Sequence, residues 1–250
     1  MVFQKNRTTM KRLLLLTILF SSISIYGNDT ASTKSRRIFI GANFSADHCY
    51  RALTKNDRNF PNDQWTMAKK FDDSVEVPKF GYTAGITFGF QINKRISIET
   101  GIQYSNKGYK TIPIMTAYNW NEAEAIATNI INYSYLDFPL RVNFSFLKKR
   151  IQILASIGTA LNCLVQTSTK TIPETPTITF KTKTNVSLYP YKKINISPMA
   201  SVGLKYKINT RMNLRVEPTF RFSMLNIDAK SYRTTHLWSA GLNIGYYIDL

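Results

Sequence analysis

Residues 133–165 read YSYLDFPLRVNFSFLKKRIQILASIGTALNCLV. From Leu136 the even positions are Leu136, Phe138, Leu140, Val142, Phe144 and Phe146, and the odd positions between them are Asp137, Pro139, Arg141, Asn143 and Ser145. A period of two sustained over such a run is a strand pattern; a helix would bring apolar residues back at three and four. Lys148, Lys149 and Arg150 make a basic turn, after which Ile151, Ile153, Ala155, Ile157 and Leu161 resume the apolar face. The stretch predicts a long β-hairpin with one apolar and one polar face.

Working outward, the same alternation recurs. Arg37 to Ala46 predicts a first strand, and Tyr82, Ala84, Ile86, Phe88, Phe90 and Ile92 line one side of the next. A tight turn at Asn93-Lys94 leads to Ile96, Ile98, Ile102 and Tyr104. Beyond the hairpin, strands are expected at Ile194–Ile208, at Met212–Phe222 and from Trp238 to Ile248. The connections between them alternate long and short. Residues 47–79, 106–131 and 167–192 are polar and irregular, with a short helical turn expected at Glu122–Ala127. About eight strands with this asymmetry predict an all-β, closed, antiparallel, up-and-down transmembrane β-barrel, with short periplasmic turns and long outer loops.

The polar face supports that choice over a soluble barrel or sandwich, which would show the same alternation. It is built of Gly, Ser, Thr, Asn and Gln, as a narrow lumen favours, and the apolar face is nearly free of charge, as lipid requires. Tyr82, Tyr104, Tyr133 and Trp238 are expected at the outer rim and Phe146, Tyr206 and Tyr246 at the inner one. Pro139, Pro198 and Pro218 fall inside strands and need bulges or strand ends to absorb their missing donors.

Residues 1–27 predict a secretory signal peptide, with Lys11 and Arg12 ahead of the apolar run Leu13–Phe20, and residues 28–250 form the barrel domain. No cysteine lies near the cleavage region, which argues against a lipoprotein. The 250-residue chain carries 33 Lys+Arg against 15 Asp+Glu, a formal charge of +18. The leader holds four of the bases and no acid, which leaves +14 for the rest. Such a balance raises nucleic acid, anionic lipid and lipopolysaccharide as partners; export and the apolar face exclude nucleic acid. Both termini are expected in the periplasm.

The charges on the inward face are Glu99, Asp137, Arg141, Arg215, Glu217 and Arg221. Unpaired charge in a narrow lumen is costly, so these six are expected to pair into a network that plugs the barrel. Catalysis finds little support. His48 and His236 are the two histidines, His236 on the outward face beside Trp238, and no Ser/His/acid constellation converges. No metal-ligand cluster, cofactor fingerprint or disulfide framework is present; Cys49, in the first long loop, and Cys163 are placed on opposite sides. Lys170, Lys181 and Lys183 of the third loop are candidates for lipopolysaccharide phosphates.

The segment Tyr135-Leu136-Asp137-Phe138-Pro139-Leu140 resembles the "YLEIPL" entry to the fourth strand of the PorT-like outer-membrane β-barrels of Bacteroidota. Ser156-Ile157-Gly158, Ser201-Val202-Gly203-Leu204 and Gly241-Leu242-Asn243-Ile244-Gly245-Tyr246 extend the resemblance over about residues 37–250. It implies an integral outer-membrane protein; no cofactor is expected from the residues themselves. One branch assists type IX secretion, which makes envelope or secretion proteins the implied partners beside outer-membrane lipids. The resulting expectation is a non-enzymatic structural or interaction protein. A ligand- or solute-binding barrel and a lipid-modifying enzyme are its alternatives.

Overall fold

The computed structural model describes residues 38–55, 61–116, 125–146, 150–174, 180–184, 191–227 and 233–250. The signal peptide, Lys148 and Lys149 lie outside them. Chain order is β1 (Ile38–Lys55), α1 (Asn62–Val75), β2 (Glu76–Val77), β3 (Lys79–Gln91), β4 (Ile96–Thr111), β5 (Ile114–Thr116), β6 (Ala125–Phe146), β7 (Ile151–Pro173), β8 (Phe180–Thr184), β9 (Ile194–Lys207), β10 (Met212–Phe222) and β11 (Arg233–Asp249).

Eight of these strands close a ring. β1 pairs with β3, then β4, β6, β7, β9, β10 and β11 follow in turn, every pair antiparallel, and β11 pairs back onto β1. The short strands β2, β5 and β8 add to the upper ends of β4, β6 and β7. From Phe39 the cross-strand partners run Gly89, Glu99, Arg141, Gly158, Met199, Arg221 and Ser239, and Ser239 pairs with Cys49. One circuit thus returns to β1 ten residues further on. That stagger in an eight-stranded ring tilts the strands by about 40° and sets a backbone radius of about 8 Å. Side chains are enough to fill such a tube.

The two faces separate by alternation. Phe44, Ile86, Ile102, Leu140, Ile157 and Val202 point outward and are between half and two-thirds exposed. They belong to a contiguous apolar wall around the whole ring, far beyond the patch a water-soluble monomer tolerates. The inward face is buried and mostly polar, including Asn43, Thr87, Asn143, Ser156, Asn195 and Asn243. Inward glycines make room for the large side chains: a Cβ on Gly41 would lie 2.3 Å from the Tyr247 ring, and one on Gly241 would lie 1.9 Å from Asp47 Oδ1.

Two prolines sit where the ladder lapses. β4–β6 pairing skips from Thr100/Leu140 to Gln103/Asp137, around Pro139. β9–β10 pairing skips from Val216/Leu204 to Thr219/Ser201, around Pro218. Pro198 lies just above the last β9–β10 pair, Met199/Arg221.

Several boundaries differ from expectation because the strands overshoot the membrane. Crossing needs about 9–11 residues, whereas β1, β6 and β7 have 18, 22 and 23. Cys49 is therefore an inward residue of β1, not a loop residue. Residues 106–111, 125–131 and 167–173 are strand as well. Ala125–Ala127, expected to be helical, is strand; residues 122–124 lie outside the described residues. The first long connection holds a 14-residue helix, α1, with no buried residue of its own. Arg51 ties it down by ion pairs to Asp73 at 2.7 Å and to Glu76. Tyr133, expected at the lipid rim, is 5% exposed and turned inward. There it joins Tyr109, Tyr135, Leu164, Ile227 and Leu237 in an apolar cluster.

Candidate functional site in the barrel lumen

The inward positions stack into tiers. In the tier nearest the short turns, β4 supplies Glu99, β6 supplies Arg141, and β10 supplies Arg215 and Glu217, all 6% exposed or less. Arg141 bridges the two carboxylates, Nη2 to Glu99 Oε2 at 2.6 Å and Nη1 to Glu217 Oε2 at 3.1 Å. Arg215 pairs with the other oxygen of Glu99. Its guanidinium lies 3.9 Å from the Tyr247 ring centroid and 5.1 Å from that of Phe39, and its Nε donates to Asn213 Oδ1 at 3.2 Å. Two acids and two arginines neutralise one another there, the arrangement a low-dielectric interior demands.

The next tier holds two separate acid–base pairs. Asp47 accepts from Ser45 Oγ at 2.5 Å, from Thr83 Oγ1 at 2.6 Å and from Arg221 Nη1 at 3.2 Å. Asp137 accepts from Ser105 Oγ at 2.7 Å, from Lys107 Nζ at 3.3 Å and from Asn162 Nδ2 at 2.5 Å. Higher still, Lys79 donates to Asn106 Oδ1 at 2.6 Å and to Asn132 Oδ1 at 2.7 Å. The tyrosine-rich cluster lies beyond, toward the long loops.

Of the six inward charges read from sequence, Glu99, Arg141, Arg215 and Glu217 form one cluster. Asp137 and Arg221 do not join it. Their partners Lys107 and Asp47 fell in segments read as loop, although both continue the parity of the strands before them. A few buried polar atoms make no hydrogen bond among the described residues, including Glu217 Oε1, Arg221 Nε and Ser239 Oγ.

The two histidines and the two cysteines lie elsewhere. His48 stands between Phe80 and Trp238 at ring separations of 6.1 and 6.2 Å. His236 stacks on Phe222 at 5.7 Å, with Nδ1 3.0 Å from the Ser223 carbonyl oxygen. Both belong to the outer girdle. Cys49 and Cys163 are free thiols on β1 and β7, four strands apart in the ring of eight. Among the described residues no three His, Cys, Asp or Glu side chains gather as a metal site.

The profile of the outer membrane protein beta-barrel domain matches residues 54–249. The chain belongs to this family. Barrel members cross the outer membrane on strands, and the exposed apolar wall is the surface that faces lipid. No curated protein sequence matches the chain. Among solved structures it is similar to OprG from Pseudomonas aeruginosa, at 10% identity over 86% of this chain and 96% of that one, TM-score 0.40. It is likewise similar to the attachment invasion locus protein Ail of Yersinia pestis, at 8% identity over 86% and 99%, TM-score 0.37. The outer membrane protease OmpT from Escherichia coli matches at 9% identity over 88% and 99%, TM-score 0.41.

Proposed function

We propose that this barrel is a non-enzymatic, integral outer-membrane protein that acts through its outward-projecting strands as a structural and interaction module of the envelope. The observation that carries this reading is the filled lumen. Two tiers of neutralised charge beneath an aromatic cluster stack in a tube about 8 Å in backbone radius, so ligand or solute passage is the weaker alternative. In this reading residues 1–27 direct export, and both termini and the three short turns face the periplasm.

Two partners fit. Lipopolysaccharide suits the outer rim, where a cleft of ≈ 710 Å³ brings Phe80, Tyr82 and His48 together with Lys110. Lys170 on β7 lies cross-strand from Lys181 on β8, and the lysines of that segment are the second candidate contact for lipopolysaccharide phosphates. The PorT-like motifs favour a protein partner as well, an envelope or type IX-like secretion component docking on the extension built by β6, β7 and β8.

The first test is outer-membrane fractionation with unheated and boiled samples on one gel. A heat-modifiable band in that fraction is expected; a soluble band without a mobility shift refutes the reading. Deleting the gene and assaying cargo in the medium tests the secretion role, and unchanged export would remove it.

A further inference from the structure

Two of the three short turns repeat one arrangement. β3 passes to β4 through Ile92-Asn93-Lys94-Arg95-Ile96, and β9 to β10 through Ile208-Asn209-Thr210-Arg211-Met212. In each, the asparagine Oδ1 accepts the backbone N–H groups two and three residues on: Arg95 and Ile96, both at 2.8 Å, and Arg211 and Met212 at 2.8 and 2.7 Å. The isoleucine before it donates its amide to the carbonyl after the arginine, at 3.0 Å in both turns. The third turn enters β7 through Arg150-Ile151. All three thus place an arginine directly before the first apolar residue of the returning strand. Each arginine carbonyl is also locked to the next descending strand: Ser145 N–H donates to Arg95 at 2.7 Å, Lys207 N–H to Arg150 at 2.9 Å, and Asp249 N–H to Arg211 at 2.7 Å.

The side chains of Arg95, Arg150 and Arg211 are exposed, and none forms an ion pair among the described residues. Lys94 and Lys207 stand beside them. Ile92, Ile151 and Ile208 in the same turns are 52%, 54% and 43% exposed, so the apolar wall reaches the level of the cations. The Arg150 guanidinium rests 5.2 Å from the Tyr206 ring centroid. Cations at the foot of an apolar wall, among aromatic residues, sit at headgroup depth.

We propose that Arg95, Arg150 and Arg211 form a collar that binds the phosphodiesters of anionic glycerophospholipid in the periplasmic leaflet. The proposal rests on the orientation given above. An acidic protein would meet cations gathered in one patch. These are spread round the rim with two strands between neighbouring turns, each beside an exposed isoleucine that a soluble partner would leave wet. A basic residue at an anionic headgroup surface is worth about fivefold in partitioning, so three give on the order of a hundredfold.

The test uses the folded full-length chain in detergent, titrated with phosphatidylglycerol or phosphatidylcholine and read by native mass spectrometry. Wild type is expected to retain phosphatidylglycerol preferentially. R95Q/R150Q/R211Q loses that preference, the three single glutamine variants lose it stepwise, and R95K/R150K/R211K keeps most of it. Heat-modifiable mobility checks that each variant folds, and the single variants decide the matter if the triple does not. Equal uptake of the two lipids by wild type, or a preference unchanged in the glutamine variants, overturns the collar. An epitope inserted between Asn209 and Thr210 tests the orientation separately. Detection only after permeabilisation supports the periplasmic leaflet; labelling on intact cells overturns that assignment even where the lipid preference stands.

Discussion

Arg141 is the group on which the lower lumen tier balances, and replacing it with methionine removes two ion pairs at once. Glu99 keeps Arg215, but Glu217 is left with the Ser201 hydroxyl at 3.1 Å and no ion pair among the described residues. Breaking a buried pair from one side costs about 3–5 kcal/mol, because the other charge stays buried without compensation. The loss arises mainly from stranded Glu217, so a second change should relieve it. R141M/E217Q restores neutrality around Glu99 and Arg215 and is expected to recover at least half of the cost, a coupling on the order of 2 kcal/mol. The assay is urea unfolding of the barrel in phosphatidylcholine vesicles, followed by tryptophan fluorescence and by gel mobility of unheated samples. R141M within about 0.5 kcal/mol of the parent, or a double variant equal to the sum of its singles, would refute the balanced-tier argument.

Leu140→Arg, near the middle of the apolar wall and 55% exposed, is expected to cost about 2–4 kcal/mol in the same vesicles. A water-facing site would register almost nothing. Gly245→Leu drives its side chain into the Tyr247 ring, which a Cβ alone would approach at 2.6 Å. Overpacking of this kind costs about 1–3 kcal/mol, and the expected result is a lower urea midpoint with the barrel still heat-modifiable. Arg51→Ala releases α1 from its anchor at Asp73 and Glu76. Limited proteolysis on intact cells should then cut between residues 62 and 75 faster, with the urea midpoint of the barrel unchanged.

The ring itself was legible because lipid imposes a two-letter code: inside the bilayer every outward position must be apolar, so Leu136 to Phe146 declares both the strand and its facing. Above the bilayer that constraint lapses. The outward residues of upper β1 are Tyr50, Ala52 and Thr54, a tyrosine, an alanine and a threonine with no common apolar character, and the contrast that marks a strand fades there. Asp47, Lys107 and α1 were lost to sequence reading for this reason. Tyr133 was misplaced for a different one. It has the parity of Asp137 and Tyr135, and strict alternation puts it inside, but a tyrosine near a strand end invites a girdle reading. The register slip between Ser134 and Tyr135, where β7 carries Val165 as an extra residue, reverses the parity of upper β7. Nothing in the composition of that segment announces it. The clustering of four of the six inward charges depended on the stagger of the ring, which alternation along single strands does not encode.

The seam between β1 and β11 carries a temporal consequence. Those strands stand at opposite ends of the described chain and pair along seventeen residues, from Phe39/Asp249 to Lys55/Arg233. The pair Asp47–Arg221 spans 174 residues of sequence and Glu99–Arg215 spans 116. Asp47 therefore has no ion-pair partner, and the four-membered tier around Glu99 and Arg141 stays incomplete, until the last third of the chain has been delivered. A partly assembled sheet would present bare carboxylates and guanidinium groups to lipid on one side and an open edge on the other. Such a chain has to wait in water, held by a chaperone, and commit to the membrane in a single late event in which closure and charge neutralisation coincide.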